Sequence, residues 1–268
     1  MINKKSIPEF DYGKAYNGLF SYCGGKKRLI NAISFMVYYY GVNCFIDVCA
    51  GSGVVSMNLN TCSKVINDIE TNLTVIYKAL SSPETESRLL SALKNTNYTD
   101  ELFKEAQEYW AANSDKRLND FTDSNIVEAA YYSWVLRKMS RTGSHIDNAC
   151  ELNEERMNKL NNFKDKLIYY YGRLHNAEVK NINMLELLKD YADKPHTIPQ
   201  NSVFYIDPPY LPSKLRNGDN KKSIITHLAL SSIKNCLSLC QGCHLKDVGF
   251  LSADMTMQTM FTGMLLVR

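Results

Sequence analysis

The stretch Asp-Pro-Pro-Tyr at residues 207–210 is hard to explain as ordinary turn material. It puts a carboxylate, two residues of fixed φ that lack backbone donors, and an aromatic face directly after the apolar run 202–206. An adenine exocyclic amine is a poor nucleophile because its lone pair is delocalised into the ring. Acceptors placed around its N–H groups draw the nitrogen towards tetrahedral geometry and free the lone pair for attack. The Asp207 carboxylate and the Pro208 carbonyl are suitable acceptors, Pro208 and Pro209 fix the backbone, and Tyr210 offers a face for a base lifted from its stack. A rigid loop is the bland alternative. Two further stretches carry weaker signals. In "DVCAGSG" (47–53), Gly51 and Gly53 would let backbone amides approach a ligand closely. "VINDIE" (65–70) puts acidic residues about 20 positions on, where nucleotide folds bond ribose hydroxyls. Alone, Asp68 is equally a helix cap. In tandem the two stretches favour an adenosine-containing cofactor.

Such groups act only if strands and turns deliver them, and the first eighty residues have the required alternation. Residues 26–40 are spaced as a helix, 43–50 as a strand ending in a turn, 64–68 as a second strand and 70–80 as a helix closed by Pro83. From Pro83 to about Gly172 the pattern is helical without a convincing strand, with Asn, Asp and Ser at the joins. Alternation resumes at 177–182 and 184–192 and ends in the strand before Asp207, which Pro208 and Pro209 stop. The expected fold is α/β, with 1–82 and 173–268 forming one domain and the helical block 83–172 inserted into it. All three chemical stretches then fall at strand C-terminal ends, where parallel sheets bind ligands.

The 268 residues, 45% of them hydrophobic, suffice for a large core, and a net charge of +3 confines any nucleic-acid surface to a local patch. No run is long and apolar enough to span a membrane, and the N-terminus lacks a signal-peptide apolar region. Eight cysteines without a leader point to free thiols and a cytoplasmic location.

With these residues in view, the chain resembles the Dam-type family of N6-adenine DNA methyltransferases. Four stretches match in the family's order: "YCGGKKRL" (22–29), "DVCAGSG" (47–53), "VINDIE" (65–70) and "DPPY" (207–210). The resemblance covers roughly residues 17–215 and implies a Rossmann-like methyltransferase sheet, S-adenosyl-L-methionine as methyl donor and double-stranded DNA as substrate. It implies that Tyr22, Gly24, Gly25, Lys26, Asp47, Gly51, Gly53, Asp68 and Asn183 hold the cofactor, and that Asp207, Pro208, Pro209 and Tyr210 form the catalytic motif. Tyr22 stands for the more usual Trp, Cys49 for a frequent Phe, and Asn183 near a frequent Asp. Transfer is then direct and in line, with no covalent enzyme intermediate and no metal. The block 83–172 lies where the family carries its target-recognition domain. Its segment 134–145 offers Arg137, Lys138 and Arg141 to phosphates and Ser144 to bases; a solvated basic helix end is the alternative. The resemblance further implies a monomer, a bacterial, phage or prophage context, and either a solitary enzyme or one with a cognate restriction endonuclease.

Other readings are weaker. A cytosine-C5 enzyme needs a Cys nucleophile, usually after Pro, and no Pro-Cys pair occurs. Methylation of a protein amide would prefer Asn at 207. "CQGCH" (240–244) matches a haem-attachment pattern without an export signal, and "CLSLCQGC" (236–243) lacks a second ligand pair for zinc. The tyrosine triplets 38–40 and 169–171 read as packing residues. Beyond about Lys221 the resemblance lapses, and four of ten methionines crowd the last 14 residues. Reading the codons of this tail two bases later permits "ISGYDNADYVYRYA" from Leu251, closer to the strand and helix expected there. On that frameshift account the chain is a catalytically impaired relative whose Asp207 strand keeps an uncovered edge.

Overall fold

The computed structural model describes residues 18–20, 26–59, 63–142, 145–149, 153–164, 167–207, 245–246, 251–252 and 261–267. For Arg28, 141–142, 145–149 and the three last segments, only the backbone is described. The first helix, α1 (Ile30–Tyr39), buries Ile30, Ile33 and Val37, one stripe at helical spacing. It leads to strand β1 (Cys44–Asp47), buried at every position as a strand covered on both faces must be. A glycine turn opens α2 (Val54–Asn58), followed by β2 (Ser63–Asn67) and α3 (Thr71–Ser81). Pro83 both closes and opens. It holds Ser82 extended, at φ −116° and ψ 134°, which ends α3, and it occupies the first turn of α4 (Pro83–Lys94), where its missing N–H is harmless.

The helical block continues with α5 (Asp100–Ala112), whose N-cap Thr99 accepts from the Leu102 amide, and α6 (Ile126–Met139). The strand-free expectation then fails. Residues Ser140–Thr142 (β3) and His145–Ala149 (β4) pair as an antiparallel hairpin before α7 (Glu154–Lys164). The block shares one core with α3: Leu73, Ile76 and Leu80 pack with Leu89 and Leu93 of α4, Phe103 and Ala106 of α5, and Ala130 and Trp134 of α6.

The chain returns to the sheet through β5 (Glu178–Lys180), α8 (Met184–Asp193) and β6 (Ser202–Ile206). Strands β5, β2, β1 and β6 lie side by side in that order and run parallel. Phe45, Val203 and Tyr205 meet α1 and α2 on one face, while Cys44, Ile46, Phe204 and Ile206 meet Leu187, Leu188 and Tyr191 of α8 on the other. Each large side chain so buried contributes about 1.5–3 kcal/mol. From β1 the chain builds outwards to β2 and β5, then crosses back to place β6 on the opposite side of β1. The β1/β6 boundary is therefore the point where the strand order reverses, and the crevice belongs at its C-terminal end.

The far edge of β6 is covered. After β7 (Leu245–Lys246) and β8 (Leu251–Ser252), strand β9 (Phe261–Val267) runs antiparallel along β6, with Gly263 opposite Ile206, and β7 and β8 pair with β9. The tail thus supplies a strand where an open edge is expected on the frameshift account. The tyrosine triplets also depart from expectation. Tyr170 is core, but Tyr38, Tyr39, Tyr169 and Tyr171 are exposed. Cys44 and Cys49 are free thiols.

Candidate active site at the strand ends

Strand β1 ends in Asp47, whose side chain is sealed from solvent beneath the turn 48–53. The Ser56 hydroxyl donates to its Oδ2 at 2.6 Å, while Oδ1 is buried without a hydrogen-bond partner among the described residues. Burial pushes the carboxyl up to about 7; the Ser56 bond opposes this, and the nearby carboxylates Asp207 and Asp68 add to it.

The turn that follows depends on two left-handed glycines, Gly51 at φ 53° and Gly53 at φ 67°. A Cβ on Gly53 would stand 3.0 Å from the Tyr77 ring, whose hydroxyl donates to the Gly51 carbonyl. Both glycine amides are bonded within the protein. Gly51 N–H donates to Asp68 Oδ2 at 2.9 Å, and Gly53 N–H closes on the Ala50 carbonyl at 2.9 Å. What the glycines supply is the tight turn. Asp68 accepts on its other oxygen from Glu70 N–H at 3.0 Å, closing a turn just before α3, whose N-cap is Glu70 and not Asp68. It is buried, which raises its pKa; the Glu70 and Gly51 bonds work the other way.

At the end of β6, Asp207 receives two hydrogen bonds from one cation. Lys26 Nζ lies 2.7 Å from Oδ1 and 2.6 Å from Oδ2, with the lysine side chain 6% exposed and the aspartate 17%. The sequence assigns Lys26 to the cofactor and Asp207 to the amine; the structure joins them across the top of the sheet. Cys49 lies half-buried among Asp68, Asp47 and Asp207, and its thiol is pushed up by burial and by all three charges. Its Sγ lies 3.7 Å from Met184 Sδ. Asn183, exposed, caps α8 by accepting from Leu185 N–H at 2.9 Å.

Two residues escaped the sequence reading. Asn67 ties the strand ends together, donating to the carbonyls of Val48 at 2.9 Å and Ile182 at 3.0 Å and accepting from Ile182 N–H at 3.1 Å. Asn181 holds the Asp68 turn from β5. An amide closing an otherwise apolar strand was the available signal for Asn67.

The basic residues need correction. Arg137 is buried at 3% exposure and bridges Glu70 Oε2 at 2.6 Å, so its charge is spent inside the protein. Lys138 Nζ lies 3.3 Å from the centroid of the Phe163 ring and 5.2 Å from that of Trp134. Desolvation, reinforced by Arg156, pushes it down to about 7, which suits a packed amine better than a phosphate contact. For Arg141 only the backbone, in β3, is described. Tyr22, Gly24, Gly25, Ser144, Pro208, Pro209 and Tyr210 lie outside the described residues.

Three carboxylates and one lysine converge at the reversal point of the sheet. Such a site suits a ligand carrying positive charge better than a polyphosphate, and S-adenosylmethionine carries both an ammonium and a sulfonium. Among the described residues there is no cluster of His, Cys, Asp or Glu able to hold a metal ion, and no helix is long and apolar enough to cross a membrane. Comparison with curated proteins returns no match. The model of the D12 class N6 adenine-specific DNA methyltransferases matches residues 22–238, most of the chain and well past the point near Lys221 where the resemblance was expected to lapse. The chain belongs to the D12 class of N6 adenine-specific DNA methyltransferases.

Proposed function

We propose that this chain methylates adenine N6 in duplex DNA with S-adenosylmethionine held over the ends of β1 and β2 and the target base against Asp207. The convergence of Asp47, Asp68 and the Lys26–Asp207 pair at one sheet boundary carries the reading. The cofactor supplies a methyl group on an electron-poor sulfur. Asp47 Oδ1, buried and without a partner among the described residues, is the acceptor for the cofactor's ammonium. Asp68 is the acceptor for its ribose hydroxyls. The Asp207 carboxylate and the Pro208 carbonyl accept the N6–H bonds and draw the nitrogen lone pair out of conjugation, and Tyr210 stacks on the extruded base. No enzyme nucleophile is needed, because the methyl passes directly to nitrogen.

DNA would be read by the helical block, through Arg141 and Ser144, and the protein would act in the cytoplasm as a monomer, alone or beside a restriction endonuclease. The composition of the Met-rich tail, not its pairing, carries a second reading: a frameshifted relative that keeps the cofactor site and has lost turnover, although β9 covers the β6 edge that this reading leaves open. Labelled methyl transfer to unmethylated duplex DNA, run beside cofactor binding by calorimetry, separates the two. Incorporation into N6-methyladenine that vanishes in Asp207→Ala supports the first; binding without incorporation supports the second. Failure to bind the cofactor would overturn both.

A further inference from the structure

The turn that presents Asp68 is held from two directions, by Asn181 just after β5, itself bonded to the helical block, and by Arg137 within the block. Asn181 donates to the carbonyls of Asp68 at 3.0 Å and Ile69 at 2.9 Å. Its Oδ1 accepts from the Thr71 hydroxyl at 3.0 Å and from the amide of Leu118, within the block, at 3.3 Å. On the other side Arg137, in the last turn of α6, donates to Glu70 Oε2 at 2.6 Å and to Asn72 Oδ1. Its guanidinium lies over the Phe20 ring, 5.6 Å from the centroid, and Phe20 meets Trp134 edge-on. One buried cation thus joins the N-terminal segment, the β2–α3 turn and the helix that runs directly into the hairpin. Burying a guanidinium is unfavourable unless its bonds are made, so the turn and α6 are fixed relative to each other.

We infer that Arg137 is a positioning residue for the cofactor: from inside the helical block it holds the Asp68 turn in its ribose-accepting shape. The block that reads DNA then also sets affinity for S-adenosylmethionine, and changes in α6 are felt at the ribose. This rests on the reading of Asp68 as the ribose acceptor.

Equilibrium binding of S-adenosylmethionine and of a DNA duplex, measured separately, tests it on the whole chain with Arg137→Met and Glu70→Ala. The Glu70 side chain is 43% exposed, so its truncation leaves the packing around Arg137 in place even where Arg137→Met fails to fold. Cofactor affinity is expected to fall about tenfold in Glu70→Ala under conditions where the variant is fully folded, with duplex affinity within about twofold of the parent, while the denaturation midpoint drops because Arg137 keeps a buried charge without its carboxylate. The opposite split, duplex affinity lost and cofactor affinity kept, would make Arg137 a DNA contact and overturn the inference. Unchanged cofactor affinity in Glu70→Ala would overturn it as well. A parent chain that binds duplex but no cofactor would sink the assignment of Asp68 and the inference with it.

Discussion

Asp47 is a carboxylate placed where water cannot solvate it, and that placement makes a prediction with a definite sign. Its folded value near 7 lies above the ordinary 3.8, so the native chain keeps a proton that the unfolded chain has already released. Stability is full at acid pH, falls as pH rises between those two values, and is level above. Asp47→Asn is therefore expected to be more stable than the parent at about pH 8, with the difference shrinking towards about pH 4, as urea midpoints at stepped pH would show. The same variant should lose the cofactor, because the ammonium has no anion to meet. In the parent, cofactor binding should release a proton near neutral pH, seen by calorimetry in buffers of different ionisation enthalpy. Lys26 gives a second prediction. It is the cation placed on Asp207, so Lys26→Met should lower methyl transfer by at least about tenfold by leaving the carboxylate unheld, while Lys26→Arg, which keeps a donor there, should retain most of it. Methyl transfer unchanged in Lys26→Met would show that the pair has no part in placing Asp207. Asp47, Asp68 and Asp207 were legible in the sequence because each ends an apolar strand. The Lys26–Asp207 contact was not, since it joins positions 181 residues apart that no local pattern connects.

At the scale of elements, glycine turns and proline boundaries announced themselves, while strands without alternation did not. Strands β1 and β6 are short apolar runs bounded by turn residues, and both fell within the expected ranges. The hairpin β3–β4 was missed because His145–Ala149 carries a single β-branched residue, with Asp and Asn between it and the end, and the pairing register shifts between Ser140 and Thr142. Two of the left-handed glycines, Gly41 and Gly53, allow a controlled comparison. Both have φ near 60°, but a Cβ on Gly41 would meet nothing within 4 Å, whereas one on Gly53 would press on Tyr77. Gly41→Ala should cost about 1 kcal/mol, from backbone strain alone. Gly53→Ala should cost at least about 2 kcal/mol and also displace the turn over Asp47, so chemical denaturation and cofactor titration should both separate the two variants.

Across the whole molecule, the strand that ends in Asp207 lies at the junction of two parts of different origin in the chain. On one side β6 is paired with β1 in a parallel sheet whose strands are short apolar runs that sequence patterning picks out. On the other side it is paired with β9, reached after more than fifty residues, so its partner was beyond local reasoning. The continuous apolar run of β9 lacks the alternation of a half-exposed strand and reads as unstructured until something to cover is found. Five residues of β6 face β9, from Ser202 opposite Val267 to Ile206 opposite Gly263, the last beside Asp207. Without β9 the buried backbone groups of that edge have no partners, and the edge becomes a template for another chain. Leu265, opposite Phe204, is the position at which to test this without shortening the protein. Leu265→Pro removes a ladder donor and should lower stability by about 3 kcal/mol or more, with self-association visible on gel filtration. The same change should weaken methyl transfer beyond the loss of folded protein, because the β6 end that carries Asp207 is no longer held from both sides. A proline variant with the parent's midpoint and oligomeric state would mean that the tail strand adds nothing to the sheet and that the fold closes at β6.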